Sequence, residues 1–166
     1  MNADTIRTLL EYNYAAHRRL WDGIACLTDE QFVQEVDYSI GSVRNHMVHL
    51  INVDLRWLAR LQNAALPERL SENGFTTVEA ARRKWAEVES AVLAYADVLH
   101  DADLNEIIYY DMPHRGGAKR NPRWEILVHV VNHGTDHRAQ VLPILHRLSA
   151  PTFEQDLMIY LWDKGR

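Results

Sequence analysis

The pattern that most restricts how this chain can fold lies between residues 78 and 99. Val78, Ala81, Trp85, Val88, Val92, Tyr95 and Leu99 alternate steps of three and four. Such a seam keeps one apolar stripe on a helix and packs against near-parallel neighbours, which favours a bundle over crossed, globin-like packing. Thr76 and Glu79 read as a capping box that opens this helix.

Three further stretches repeat the theme. Ile6, Leu9, Leu10, Asn13, His17, Leu20, Trp21, Ile24 and Leu27 predict a helix over about 3–27, with Asn13 and His17 interrupting its apolar face. Ser42 as N-cap, followed by Val43, Met47, Leu50, Val53, Trp57 and Leu61, predicts another over about 42–63. Asn121 as N-cap and Pro122 at the first helical position precede Ile126, Val130, His133, His137, Val141, Ile144 and Leu148, a helix over about 122–148. Pro151 stops it, and Leu157, Tyr160 and Leu161 predict a short C-terminal helix.

The intervening segments read as connections. Thr28-Asp29-Glu30 breaks the period of the first helix, and Pro67 with Ser71-Glu72-Asn73-Gly74 marks a loop. Residues 101–122 lack helical period, although Ile107-Ile108-Tyr109-Tyr110 is a short β-prone run and Gly116-Gly117 reads as an exposed turn. Four long helices with some connections of more than ten residues imply an all-α four-helix bundle with crossover connections and a short C-terminal helix. At 166 residues the chain suits one domain spanning 1–166.

Composition narrows the function classes. Cys26 is the single cysteine, which leaves no internal disulfide, no cysteine-rich zinc cluster and no CxxC redox pair. Asp4, Arg7 and Glu11 break any signal-peptide core, and no run of about eighteen apolar residues spans a bilayer, so a cytoplasmic protein without membrane attachment is expected. A formal charge of -5 gives no general attraction to nucleic acid. HExxH, a glycine-rich phosphate loop and a Glu-x-x-His pair are all missing, which removes three common site classes. Cys26 has no motif around it and reads as an incidental thiol. The basic stretch 114–120 reads as a solvated turn more readily than as a holder of an anionic substrate, and Arg138 as either an anion-orienting group or half of a surface ion pair.

Histidine is the residue type that carries chemistry. His133 and His137 occupy seam positions between Val130 and Val141, where a plain core would carry leucine or valine. Four residues apart, both rings fall on one helical face, the geometry that two ligands of one metal need, and His129 extends the row by a turn. A catalytic metal normally takes three protein ligands, so a third must come from another helix. His46, His49 and His17 are available, and periodicity alone slightly prefers His46, which lies nearer the centre of its helical face. The competing reading is a plain bundle whose histidines are hydrogen-bonded core residues.

His133-Gly134-Thr135-Asp136-His137-Arg138-Ala139-Gln140, preceded by His129-Val130-Val131-Asn132, resembles the HxxHHRGQ signature of the DinB-like (DinB/YfiT) superfamily. Glu11-Tyr12-Asn13-Tyr14-Ala15-Ala16 and the segment from Ser42 to Leu50 with Trp57-Leu58 resemble that family's first and second helices. The resemblance implies a divalent metal, nickel or zinc, bound by one histidine of the second helix and two of the last, which are His49, His133 and His137 here. It also implies a thiol-dependent transferase or isomerase acting on a small electrophile with a low-molecular-weight thiol, and a homodimer. A non-enzymatic stress-response protein whose metal stabilises the bundle is the alternative. Asp136 stands where the signature has a histidine and Ala139 where it has glycine. Neither is a ligand position, and catalytic and substrate-binding residues stay unassigned.

Overall fold

A computed structural model describes residues 1–165. Four long helices build the core: α1 (Ala3–Ile24), α3 (Val43–Leu61), α4 (Val78–Asp97) and α5 (Arg123–Arg147). A short helix, α2 (Asp29–Val33), lies between the first two, α6 (Leu157–Asp163) follows the last, and strands β1 (Ile107–Met112) and β2 (Gly117–Pro122) separate α4 from α5. No helix among the described residues is long and apolar enough to cross a membrane.

Both α1 and α3 pack against α4 and α5, so α1 and α3 occupy opposite corners of the bundle. Directions follow from side-chain partners. Arg7 reaches Leu99 while Arg82 reaches Asp22, so α1 and α4 are antiparallel. His46 faces His137 and Trp57 faces His129, so α3 and α5 are antiparallel as well. Asn13 meets Arg138 and Gly23 lies beside Leu145, which makes α1 and α5 parallel. Consecutive helices α3 and α4 therefore run the same way, and residues 62–77 must travel back along the bundle between them. This is the crossover architecture expected from the long connections.

The seam of α4 buries as its spacing dictates: Ala81, Trp85, Val88, Val92 and Leu99 are all buried, with Trp85 packed among Trp21, Tyr14 and His17. Burying a side chain as large as Trp85 contributes on the order of 3 kcal/mol or more.

The structure departs from the local sequence signals more than from the helices themselves. Thr77, not Thr76, caps α4 by accepting from the Ala80 amide. Pro122 takes the N-cap position of α5, because the Asn121 side chain is drawn away to the Tyr110 hydroxyl and Glu125. Residues 101–122 are not a structureless link: β1 and β2 form an antiparallel hairpin with Ile107 opposite Pro122 and Met112 opposite Gly117. Its tip contains Gly116 and Gly117, both near φ +85°, a conformation that side chains resist. The connection after α1 likewise holds α2, whose Thr28 and Gln31 form a reciprocal capping box over the fully buried Phe32.

Candidate metal centre

Antiparallel packing of α3 on α5 sets two imidazole rungs. His49 Nε2 lies 3.3 Å from His133 Nε2, and His46 Nδ1 lies 3.0 Å from His137 Nδ1. Ring centroids of His49 and His137 are 4.6 Å apart, and those of His133 and His137 are 4.5 Å apart. One nitrogen from each of His49, His133 and His137 falls within 4.8 Å of the others, close enough to hold a metal ion. Two ligands on a tetrahedral zinc with bonds of about 2.0–2.1 Å would be about 3.3 Å apart, so the His49 and His133 nitrogens stand at the spacing an ion requires. Without an ion, one neutral ring can donate to the other across the same gap.

The remaining histidines take different places. His46 is buried and its Nδ1 faces the Nδ1 of His137, so it is placed to fix that ring rather than to join the three-nitrogen cluster. His129 continues the α5 row at 5.6 Å from His133 but is exposed and packs on Trp57. His17 is fully buried against Trp85, with neither ring nitrogen hydrogen-bonded. Asp136 points to the exposed side of α5 and supplies no ligand to the cluster.

Electrostatics favour the ligand form of the imidazoles. Burial, reinforced by neighbouring histidines, lowers the pKa of His133 to about 3 and that of His137 to about 4. Burial also lowers His46 to about 4 and draws His49 down, helped there by Arg69. Metal binding needs neutral rings, and the free histidine value near 6.5 would place proton competition around that pH. The folded site shifts it downward. Bound divalent cation is therefore expected to survive at pH 5.5 and to be released as the pH falls toward 4, and metal content after equilibration across that range checks this. Release complete by pH 6 would mean that the rings titrate like free histidine.

Beside this cluster lies a buried polar layer. Arg138 is wholly buried and donates to Asn13 Oδ1, Thr135 Oγ1 and Gln155 Oε1, at 2.5, 2.9 and 2.9 Å. It is neither an anion-orienting group nor a surface ion pair, since its donors are consumed inside the bundle. Gly134 makes room for this layer: a methyl there would collide with Asn13 Oδ1 and stand 2.9 Å from His17 Nε2. Across the core, the Tyr14 hydroxyl donates to Asp54 at 2.8 Å, and burial raises the Asp54 pKa to about 7. Asp54 escapes motif reasoning, yet its signal is present, because an acid at 54 continues the buried row of Leu50 and Leu58.

His49 also forms part of the wall of two cavities. One, of about 330 Å³, lies toward Arg44, Asn45, Arg69 and Glu72, and the other, of about 540 Å³, runs along α3 toward the hairpin. The cluster thus has one member open to space that a small molecule can enter.

The comparisons with known proteins agree with this architecture. The DinB family model matches residues 1–164. The Bacillus subtilis (strain 168) protein DinB is 24 % identical over 159 residues, covering 93 % of this chain and 92 % of that one. Among solved structures, a DinB-like protein from Bacillus cereus superposes with a TM-score of 0.74 at 18 % identity, over 92 % of this chain and 98 % of the other. A DinB family member from Shewanella denitrificans gives 0.59 at 15 % identity, over 93 % and 88 %. At those identities the structures establish a shared fold, and the family model establishes kinship: the chain belongs to the DinB family.

Proposed function

We propose that His49, His133 and His137 hold a divalent cation, nickel or zinc, and that the protein is an enzyme joining a low-molecular-weight thiol to a small electrophile. The observation that carries this reading is the position of His49, at once a member of the three-nitrogen cluster and part of a cavity wall. A bound cation would supply a Lewis acid that lowers the pKa of an incoming thiol.

The chain's own residues prepare the rest. The lowered histidine pKa values keep the rings neutral at pH 7, and His46 holds the orientation of His137 through Nδ1. Cys26 lies on the surface just past α1, bonded to the Asp22 carbonyl, and lines neither cavity at His49. The thiol consumed in the reaction comes from outside the chain, as suits a cytoplasmic enzyme, and we infer a homodimer from the resemblance noted above.

A second reading has its own support: His49 belongs to α3 and the other two to α5, so a cation there would cross-link two helices and stabilise the bundle. The metal-loaded protein should be assayed with glutathione, bacillithiol, mycothiol and cysteine against an epoxide, a quinone and an activated aryl halide. Thiol consumption that needs both metal and His133 supports the enzyme. No turnover with any pair, together with lower thermal stability on metal removal, supports the structural role.

A further inference from the structure

The larger cavity at His49 has a chemical character that the histidines do not explain. Along α3, His49, Arg56 and Arg60 follow one face, with Trp57 beside them, and all four line it together with Met112 and Asp111 from the hairpin. Arg60 lies over the Trp57 ring at 4.8 Å and near the Tyr110 ring at 5.6 Å, so its guanidinium is held in place by aromatic faces. Its Nε is buried without a hydrogen-bond partner, its Nη2 meets only the weak acceptor Met112 Sδ at 3.3 Å, and its Nη1 makes one long bond, 3.4 Å, to the Arg56 carbonyl. Arg56 donates one bond, to the Pro67 carbonyl at 2.8 Å.

Among the described residues, neither arginine forms an ion pair. Like charges four apart on a helix repel by about 0.2–0.5 kcal/mol. Here the third arginine of the cavity, Arg69, is matched by Glu72, whereas Arg56 and Arg60 share only the exposed Asp111 on the cavity rim, with which neither makes contact. Two guanidiniums with donors to spare, beside an indole and a thioether, fit an anion attached to an apolar body.

We propose that this cavity binds a small organic carboxylate, its carboxylate on Arg56 and Arg60, its apolar body against Trp57 and Met112, and its far end at His49. Arg56 lies seven helical steps after His49, about 10 Å at 1.5 Å per residue. A ligand of that length bridges the arginines and the histidine cluster. The assignment relies on the metal-enzyme reading only for what happens at the His49 end, since the arginine end needs no cation.

The test uses a matched pair of probes, 3-phenylpropionate and the neutral 3-phenylpropanamide, titrated into the full-length protein by ligand-observed NMR. Both metal-loaded and metal-free protein are used. The carboxylate is expected to bind about tenfold more tightly than the amide in both forms, the scale of one charge-assisted hydrogen-bonded contact. Arg56→Gln with Arg60→Gln should abolish that preference while metal content stays at the wild-type level. Should the double variant not fold, Arg56→Gln alone must still reduce the preference at least about threefold. Equal binding of the two probes, or a preference that survives loss of the arginines, overturns the proposal. A preference present only with metal bound also overturns it, because the carboxylate would then be sitting on the cation. Absence of metal from the wild-type protein would sink the enzyme reading and leave this assignment standing.

Discussion

Replacing His133 or His137 with alanine is expected to weaken divalent-cation binding by about a hundredfold to just under a thousandfold. The scale follows from structural zinc sites, where apparent binding of about 10–16 kcal/mol is spread over four ligands, or roughly 2.5–4 kcal/mol for each. His49→Ala should fall in the same range, because its Nε2 stands at ligand spacing from His133. His46→Ala should behave differently. Its ring touches His137 from behind, at Nδ1, and partners of that kind typically contribute tenfold to a hundredfold in affinity. Competition titrations with a chromophoric chelator measure all four. Equal losses at His46 and His49 would mean that the third nitrogen comes from His46.

The second large effect is on stability. Arg138→Ala is expected to cost about 2–4 kcal/mol, the scale of one buried polar group left without its donor, about 1–3 kcal/mol, together with two half-buried ones. The guanidinium serves three residues in three directions, through Nη1 to the Asn13 side chain and carbonyl, Nη2 to Thr135 and Nε to Gln155. Deleting it leaves Asn13 Oδ1 without its donor in the buried interior and takes a donor from the half-buried Thr135 and Gln155. Arg138→Lys should recover less than half of the loss, since an ammonium is a point donor and cannot reproduce the planar fork. Urea unfolding at pH 7 gives the numbers, and a cost below about 1 kcal/mol for alanine would show that the layer is wetter than its burial implies.

How far the chain could be read from its residues depends on the range of the interaction. The four long helices are legible because their apolar spacing is a local record of which face becomes buried, and the α4 seam from Ala81 to Leu99 follows that record. His133 and His137 are legible for the same reason, as imidazoles in positions that should be apolar. Helix α2 is hidden because its signal is a polar cap, Thr28 with Gln31, and only Phe32 supplies an apolar anchor. Of the hairpin, β1 and the turn are legible in the β-prone run 107–110 and in Gly116-Gly117, whereas β2, Gly117–Pro122, is hidden because it carries no alternation of its own and depends on β1 for pairing.

Choosing among His17, His46 and His49 requires knowing which helix meets which, and no period contains that. The antiparallel register of α3 on α5 brings His49 level with His133, sends His46 behind His137, and leaves His17 against Trp85. Arg138 and Asp54 are misread or missed for a related reason. A charged residue is ordinarily assigned to solvent, and here burial is offset by partners distant in sequence, Asn13 and Tyr14.

The most direct measurement is elemental analysis of protein purified without an affinity tag, alongside the same protein stripped with chelator and reloaded with zinc or nickel. One equivalent of divalent cation per chain, lost in the His49, His133 and His137 alanine variants but retained by His46→Ala at saturating metal, is the expected result. A wild-type chain that contains no metal and takes up none would contradict it, and the three imidazoles would then be hydrogen-bonded core residues.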